Sequence, residues 1–233
     1  MRSMTRAMVR TAFVAVGLLV LFACVTVAQE YSLQEYMPQT MGSKWTVKST
    51  GGRGDATLTI SITKTMDFGG TQVPLALTQS EDGTQRSGTL ELVSADAYTI
   101  YGMMFGGRGG GGGGGELTTI PYSPPVEFPG KLTIGQTVEK TTTMGAGDRQ
   151  GSVTIKLQLA AVENVTVPKG TFENCLKVLY TTTFPAGADG QTPPPRTRTI
   201  WYAKGVGAVK TERPGFGDRP ATVTELVDYT LGQ

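Results

Sequence analysis

Thr57-Leu58-Thr59-Ile60-Ser61-Ile62-Thr63 decides the fold class. Leu58, Ile60 and Ile62 alternate with hydroxyl-bearing residues, the period of a strand with one buried and one wet face. The same alternation returns in Val153, Ile155, Leu157 and Leu159, separated by Thr154, Lys156 and Gln158. Between and beyond these stretches, Val73–Thr78, Arg86–Val93, Tyr98–Tyr101, Leu176–Thr183, Arg198–Tyr202, Val206–Lys210 and Thr222–Tyr229 are short strand candidates. They are separated by turn signals such as Glu81-Asp82-Gly83, Pro168-Lys169-Gly170 and Ala203-Lys204-Gly205. The sequence thus predicts roughly ten short strands and no amphipathic helix of about ten residues or more. The expected fold is all-β: a single strongly curved antiparallel sheet, half-barrel or barrel-like.

Composition agrees. Gly supplies 32 of 233 residues and charged residues only 17%, which suits strands joined by tight turns. Gly106–Gly115 is nearly pure glycine, interrupted by Arg108. Ordering such a tract would cost backbone entropy that no side chain could offset, so it is expected to form a long disordered loop. Pro121–Pro129 is expected to return the chain from that loop to the body, and Tyr31–Trp45 to lead into the first strand, with Pro38 and Gly42 breaking any helix.

Ahead of the β region, Arg2, Arg6 and Arg10 precede the apolar run Thr11–Ala23. A positive segment before an apolar run too short to span a bilayer is the pattern of a secretory signal. Residues 1–28 are therefore expected to be a signal peptide and 29–233 a single β domain carrying the Gly-rich insertion. Cleavage after Thr26-Val27-Ala28 would start the mature chain at Gln29. The alternative is a lipobox at Leu21-Phe22-Ala23-Cys24, with Cys24 lipidated, although Phe22 is bulky where a small residue is favoured. The expected location is exported, periplasmic or extracellular, or lipid-anchored to the envelope through Cys24.

Without the three N-terminal arginines, the remaining basic residues fall one short of the 19 acidic ones. No basic stripe is left to neutralise phosphates, which argues against a nucleic-acid partner. No later stretch is apolar and long enough to span a membrane.

The chain contains no His, which removes His-based triads, Cys–His dyads and His-ligated zinc. Cys175, at the start of an apolar strand, is expected to be a small core residue. Glu91, Glu116, Glu139, Glu163, Glu173, Glu212 and Glu225 are scattered singly; two could still meet in space as a hydrolase pair. No P-loop or calcium-loop spacing is present. The reading is a non-enzyme without cofactor or metal. Trp45, Trp201 and Tyr202 are either core plugs or the lining of a ligand groove.

Four segments carry a resemblance. They are Tyr36-Met37-Pro38 with Gly42 and Trp45, Val167–Val178 (VPKGTFENCLKV), Trp201–Lys210 (WYAKGVGAVK) and Thr224–Tyr229 (TELVDY). In order and spacing they resemble a family of exported bacterial proteins of unknown function, with a β half-barrel similar to the lipoprotein carrier (LolA-like) group. The resemblance implies fold and compartment and brings no catalytic residues. Together with the export signal and the absent catalytic residues, it leads to the expectation of a non-catalytic envelope protein that binds a lipid, a hydrophobic ligand or another envelope protein on a curved sheet. The alternatives are a structural or assembly protein with a filled core and a carboxylate-dependent hydrolase. The intact mass of exported material distinguishes the two N-termini: a chain starting at Gln29 is expected, and a diacylated mass starting at Cys24 would replace it with the lipoprotein.

Overall fold

A computed structural model describes residues 28–52, 54–106, 117–145, 150–186, 190–215, 217 and 220–233. The expected signal segment, Cys24 and positions 107–116 of the glycine tract lie outside the described residues. Two short elements open the described chain, β1 (Glu30–Ser32) and a four-residue helix α1 (Leu33–Tyr36). Strands β2 (Lys44–Gly51), β3 (Ala56–Phe68), β4 (Thr71–Ser80), β5 (Gln85–Val93), β6 (Ala97–Gly106) and β7 (Leu117–Pro129) follow. Then come β8 (Lys131–Thr133), β9 (Thr137–Met144), β10 (Gly151–Val167), β11 (Gly170–Thr183), β12 (Arg196–Ala203), β13 (Gly207–Arg213) and β14 (Thr222–Thr230).

The fold is all-β, as the alternation predicts, and the sheet closes. Twelve strands form one antiparallel barrel in which chain neighbours are sheet neighbours, the arrangement that tight turns favour. β14 returns to β2 over Thr222↔Gly51 through Thr230↔Lys44 and completes the ring. Only β8 leaves the succession; it pairs with β1 in a separate two-stranded sheet.

Three expectations need correction. Pro121–Pro129 is not a returning loop but most of β7. It can be so because β7 meets β9 only at Tyr122↔Met144 and Ser123↔Thr143, and prolines, lacking an N–H, are tolerated where few ladder bonds are needed. Two other contacts reinforce this seam: Thr142 Oγ1 donates to the Pro124 carbonyl at 2.6 Å, and the Gly145 N–H donates to the Pro121 carbonyl at 3.1 Å. Second, Glu30–Ser32, Lys44–Gly51, Lys131–Thr133 and Thr137–Met144 are strands absent from the sequence-based candidates. Third, Leu33–Tyr36 is helical despite the nearby Pro38.

Which face points inward follows from contacts between strands that are not neighbours. The Tyr180 hydroxyl on β11 donates to that of Tyr98 on β6 at 3.5 Å, across the barrel. From these two residues the register carries the inward face around the ring, through Val93↔Tyr98 in one direction and Leu157↔Tyr180↔Arg198 in the other. The largest core lies on this face and includes Tyr98, Ile100, Phe128, Leu157, Leu159, Val178, Tyr180, Ile200 and Tyr202. Leu33, Tyr36 and Met37 around α1 and Leu132 of β8 pack into it. The Leu33 N–H donates to the Gly130 carbonyl and the Glu35 carbonyl accepts from Gly205 N–H, so α1 is held between the β7–β8 and β12–β13 turns.

A second core joins Trp45, Val47, Val165, Val167, Cys175, Trp201, Val209 and Leu226. Trp45 Nε1 donates to the Val206 carbonyl at 2.6 Å, and Gly207, at φ +103°, leaves its α-carbon bare against the indole. A Cβ there would sit 3.4 Å from Trp45 Nε1 in a backbone region that side chains rarely adopt. A third core, including Leu75, Leu77, Leu90 and Met104, occupies the opposite face of β4–β6.

Trp201 is 5% exposed. Its ring is flanked by the ammonium groups of Lys177 and Lys210 at 5.1 and 5.3 Å, and its Nε1 donates to Glu163 at 2.7 Å. β12 lies between β11 and β13, so loss of this indole removes packing in mid-sheet. Trp201→Ala is expected to cost ~3–5 kcal/mol, the range for truncating a buried aromatic residue. Urea denaturation of the variant measures it.

Candidate functional site

The inward face is not uniformly apolar. On β12 the alternation that buries Ile200 and Tyr202 puts Arg198 and Arg196 on the same side, one and two steps nearer the strand start. On β13 the partner of Ile200 is Thr211, and two residues on comes Arg213, paired with Thr222. On β5, Glu91 shares the face of Val93.

Glu91 is held by its own backbone. The Gln39 side chain donates through Nε2 to the Glu91 carbonyl and accepts the Val93 N–H, both at 2.8 Å. The β4–β5 ladder runs only as far as Leu90 on β5, and the Gln39 amide takes over as its hydrogen-bonding partner. The Tyr98 hydroxyl lies next to the Glu91 carboxyl and favours its ionised form. The Tyr180 hydroxyl lies 3.5 Å from that of Tyr98 and 3.1 Å from that of Tyr202. Three hydroxyls thus extend from the carboxyl group toward β12, and only the Tyr98–Tyr180 separation is long for an O–H···O bond. Arg198 lies over the Tyr180 ring, its guanidinium carbon 4.6 Å from the centroid, which fixes the plane of the charge. Tyr98 in turn stands edge-on to Tyr180 and stacks on Phe128, with centroids at 6.4 and 6.0 Å.

Burial shifts these groups in a consistent sense. It raises the Glu91 carboxyl, against the opposing pull of Arg198 and the Tyr98 hydroxyl. It raises the phenols of Tyr98, Tyr180 and Tyr202, and pushes Tyr122, which also feels Arg198 and Glu91, up to about 12. For Arg198, burial alone would lower the value, but Glu91 and the three phenols outweigh it and the guanidinium stays firmly charged. Arg213 is held below the usual arginine value by burial and by the neighbouring Arg198.

Glu91 and Arg198 nevertheless keep accessible surface, as half-buried residues enclosed by protein on all sides. The inward face beyond them is half-buried too. The register sets Thr211 opposite Thr224 and Thr224 opposite Ser49, and Thr78 opposite Ser87, with Thr89 next along β5. The barrel interior therefore has two parts: an apolar one closed by its own side chains and a half-buried one where these hydroxyls stand beside Leu58 and Ile60.

Of the aromatic residues singled out from sequence, Tyr202 belongs to this cluster, while Trp45 and Trp201 lie together in the second core. Glu91 stands in the sequence as one of several scattered carboxylates, and Arg198, Tyr98, Tyr122 and Tyr180 carry no sequence signal of their own. One clue was available: extending the alternation of Ile200 and Tyr202 back by one step sets a charged residue on an apolar face. Cys175 is buried and unpaired among the described residues, and burial raises its thiol to about 11, which makes it a poor nucleophile. Asp82, in the exposed turn, accepts from the Ser80 hydroxyl and the Thr84 N–H, which lower it to about 2.

No protein-family model matches the chain, and no curated protein matches it. Two solved structures are similar in fold. One is a proposed lipoprotein from Parabacteroides distasonis, 15% identical with a TM-score of 0.46. The other is a proposed exported protein with a YmcC-like fold from Bacteroides fragilis, 15% identical with a TM-score of 0.47. Each likeness covers 84% of this chain and 98% of the other. At that identity and TM-score neither bears on activity.

A raised carboxyl has a definite consequence for stability. The folded state holds the Glu91 proton more tightly than the unfolded chain does, so this group's contribution is full at low pH. It is lost as pH climbs from the ordinary glutamate value of 4.5 through the raised value in the fold. Glu91→Gln cannot ionise, and its stability is expected to fall less steeply than the parent's over that window. Denaturation midpoints across the pH range test this, and parallel curves for the two proteins would contradict it.

Proposed function

We propose that the protein is an exported, non-catalytic binding barrel whose ligand enters the half-buried part of the interior. Export rests on the N-terminal segment, in which three arginines precede a short apolar run. Binding rests on one observation: the inward face is closed over one part and keeps accessible surface over another, where half-buried Leu58 and Ile60 share the lining with hydroxyls. Leu157, Leu159, Val178 and Tyr98 are each 1% exposed or less, whereas Glu91, Arg198, Thr211 and Thr89 are half-buried. A cavity large enough for an acyl chain would leave its apolar lining exposed. Half-buried Leu58, Ile60 and Met103 supply a limited apolar lining beside the hydroxyls, which suits a polar ligand with a small apolar part better than a lipid.

A non-catalytic role is part of this reading. The single carboxylate of the cluster has tyrosines and an arginine around it rather than the second carboxylate of a hydrolase pair. An architectural reading has its own support, because the tyrosine hydroxyls satisfy one another and no buried side-chain polar atom among the described residues lacks a partner. Such a network also specifies how the two walls meet. Native mass spectrometry of the protein isolated from its own envelope separates the two. A bound small molecule is expected; a bare polypeptide mass under conditions that preserve weak complexes would leave the architectural role in its place.

A further inference from the structure

Among the described residues, the inward charges gather on neighbouring strands. Strands β12 and β13 direct Arg196, Arg198 and Arg213 inward, while Glu91 is the inward carboxylate on β5 that faces them. The β12–β13 register reaches Thr199↔Glu212, and its next step sets Arg198 across from Arg213. Arg198 is braced by the Tyr180 ring and feels the charge of Glu91, and Arg196 lies over Phe184 at 5.1 Å. Arg213 closes β13 at the exposed end of the strand, with the hydroxyls of Thr222 and Thr211 on its own face. Two guanidiniums on adjacent strands, one braced by an aromatic ring and the other at the rim, make a fork suited to a planar or tetrahedral oxyanion.

Resting on the binding-barrel reading, we infer that Arg198 and Arg213 hold the carboxylate or phosphate group of a small ligand whose remaining polar groups meet the Thr211–Thr224–Ser49 row. An oxyanion there offsets the charge of the two guanidiniums and relieves the repulsion between them. The hydroxyl row can donate or accept, which suits a ligand bearing hydroxyls.

The test is a titration of the full mature chain with inorganic phosphate and, separately, with acetate, against chloride at matched ionic strength. It is followed through the arginine Nε–Hε resonances in proton–nitrogen correlation spectra. Saturable shifts at the arginine signals are expected with at least one oxyanion and absent with chloride; the stronger of the two names the group. Arg213→Gln, at the exposed rim, should weaken binding by roughly tenfold or more, as loss of a charge-assisted hydrogen bond does. Lys64→Gln, exposed on the outer surface, should leave it unchanged. Linear, non-saturating shifts with both oxyanions, or equal affinity in Arg213→Gln, would overturn the inference. A neutral ligand in native mass spectrometry combined with no oxyanion binding would sink this inference alone and leave the binding barrel standing. A bare polypeptide combined with no oxyanion binding would remove both.

Discussion

The ladder between β2 and β14 is the constraint on which the rest depends. Lys44–Gly51 and Thr222–Thr230 lie far apart in the chain, and their pairing turns an open meander into a ring. Closure removes two sheet edges, each of which would otherwise present unpaired N–H and C=O groups. It also fixes which side chains are enclosed. With the ends joined, every second residue faces a bounded interior, and the choice of residue there becomes a choice of what the interior holds. The bulge between Leu226 and Asp228 sits in this same ladder. Around it pack Leu226, Trp45 and Val47, while Lys169 of the β10–β11 turn pairs with Asp228.

The interior divides because the sequence of each strand divides. β12 runs from arginines to Ile200 and Tyr202 along one face, and β5 runs from Ser87 and Thr89 through Glu91 to Val93. Apolar ends of several strands meet near α1 and exclude water. Their polar ends meet elsewhere and do not. A half-buried carboxyl beside an arginine is costly unless polar groups surround it, and here Tyr98 stands next to it with Tyr180 and Tyr202 behind. Gln39 lies outside the barrel strands, yet it holds the backbone at Glu91 and ties the chain that enters the barrel to the cluster within it.

Much of the architecture was legible because it is written in short-range periodicity. Leu58–Ile62 and Val153–Leu159 alternate cleanly, and both stretches are strands. Thr137–Met144 was illegible because Val138 and Thr142 are its main inward residues, and threonine stands on both faces. The prolines of β7 masked that strand for a different reason: a proline argues against a strand only where its neighbour needs an N–H, and the neighbour here needs few. The site was hidden more deeply. Glu91, Tyr98, Tyr180 and Arg198 come from four strands, and no local spacing brings them together. Only closure does so, and the register that closes the ring is not a property of any one segment.

The sparse β7–β9 seam gives the barrel one meridian of low stiffness. Elsewhere adjacent strands share longer ladders, so the wall resists changes in cross-section; here two register pairs and the Thr142 hydroxyl and Gly145 N–H contacts carry the load. A ring with one soft meridian deforms as a cylinder slit along its side does, by spreading at the slit while the opposite wall bends little. The opposite wall contains the closing ladder. A change of girth would therefore draw first on the β7–β9 seam and last on the pairing that makes the sheet a barrel.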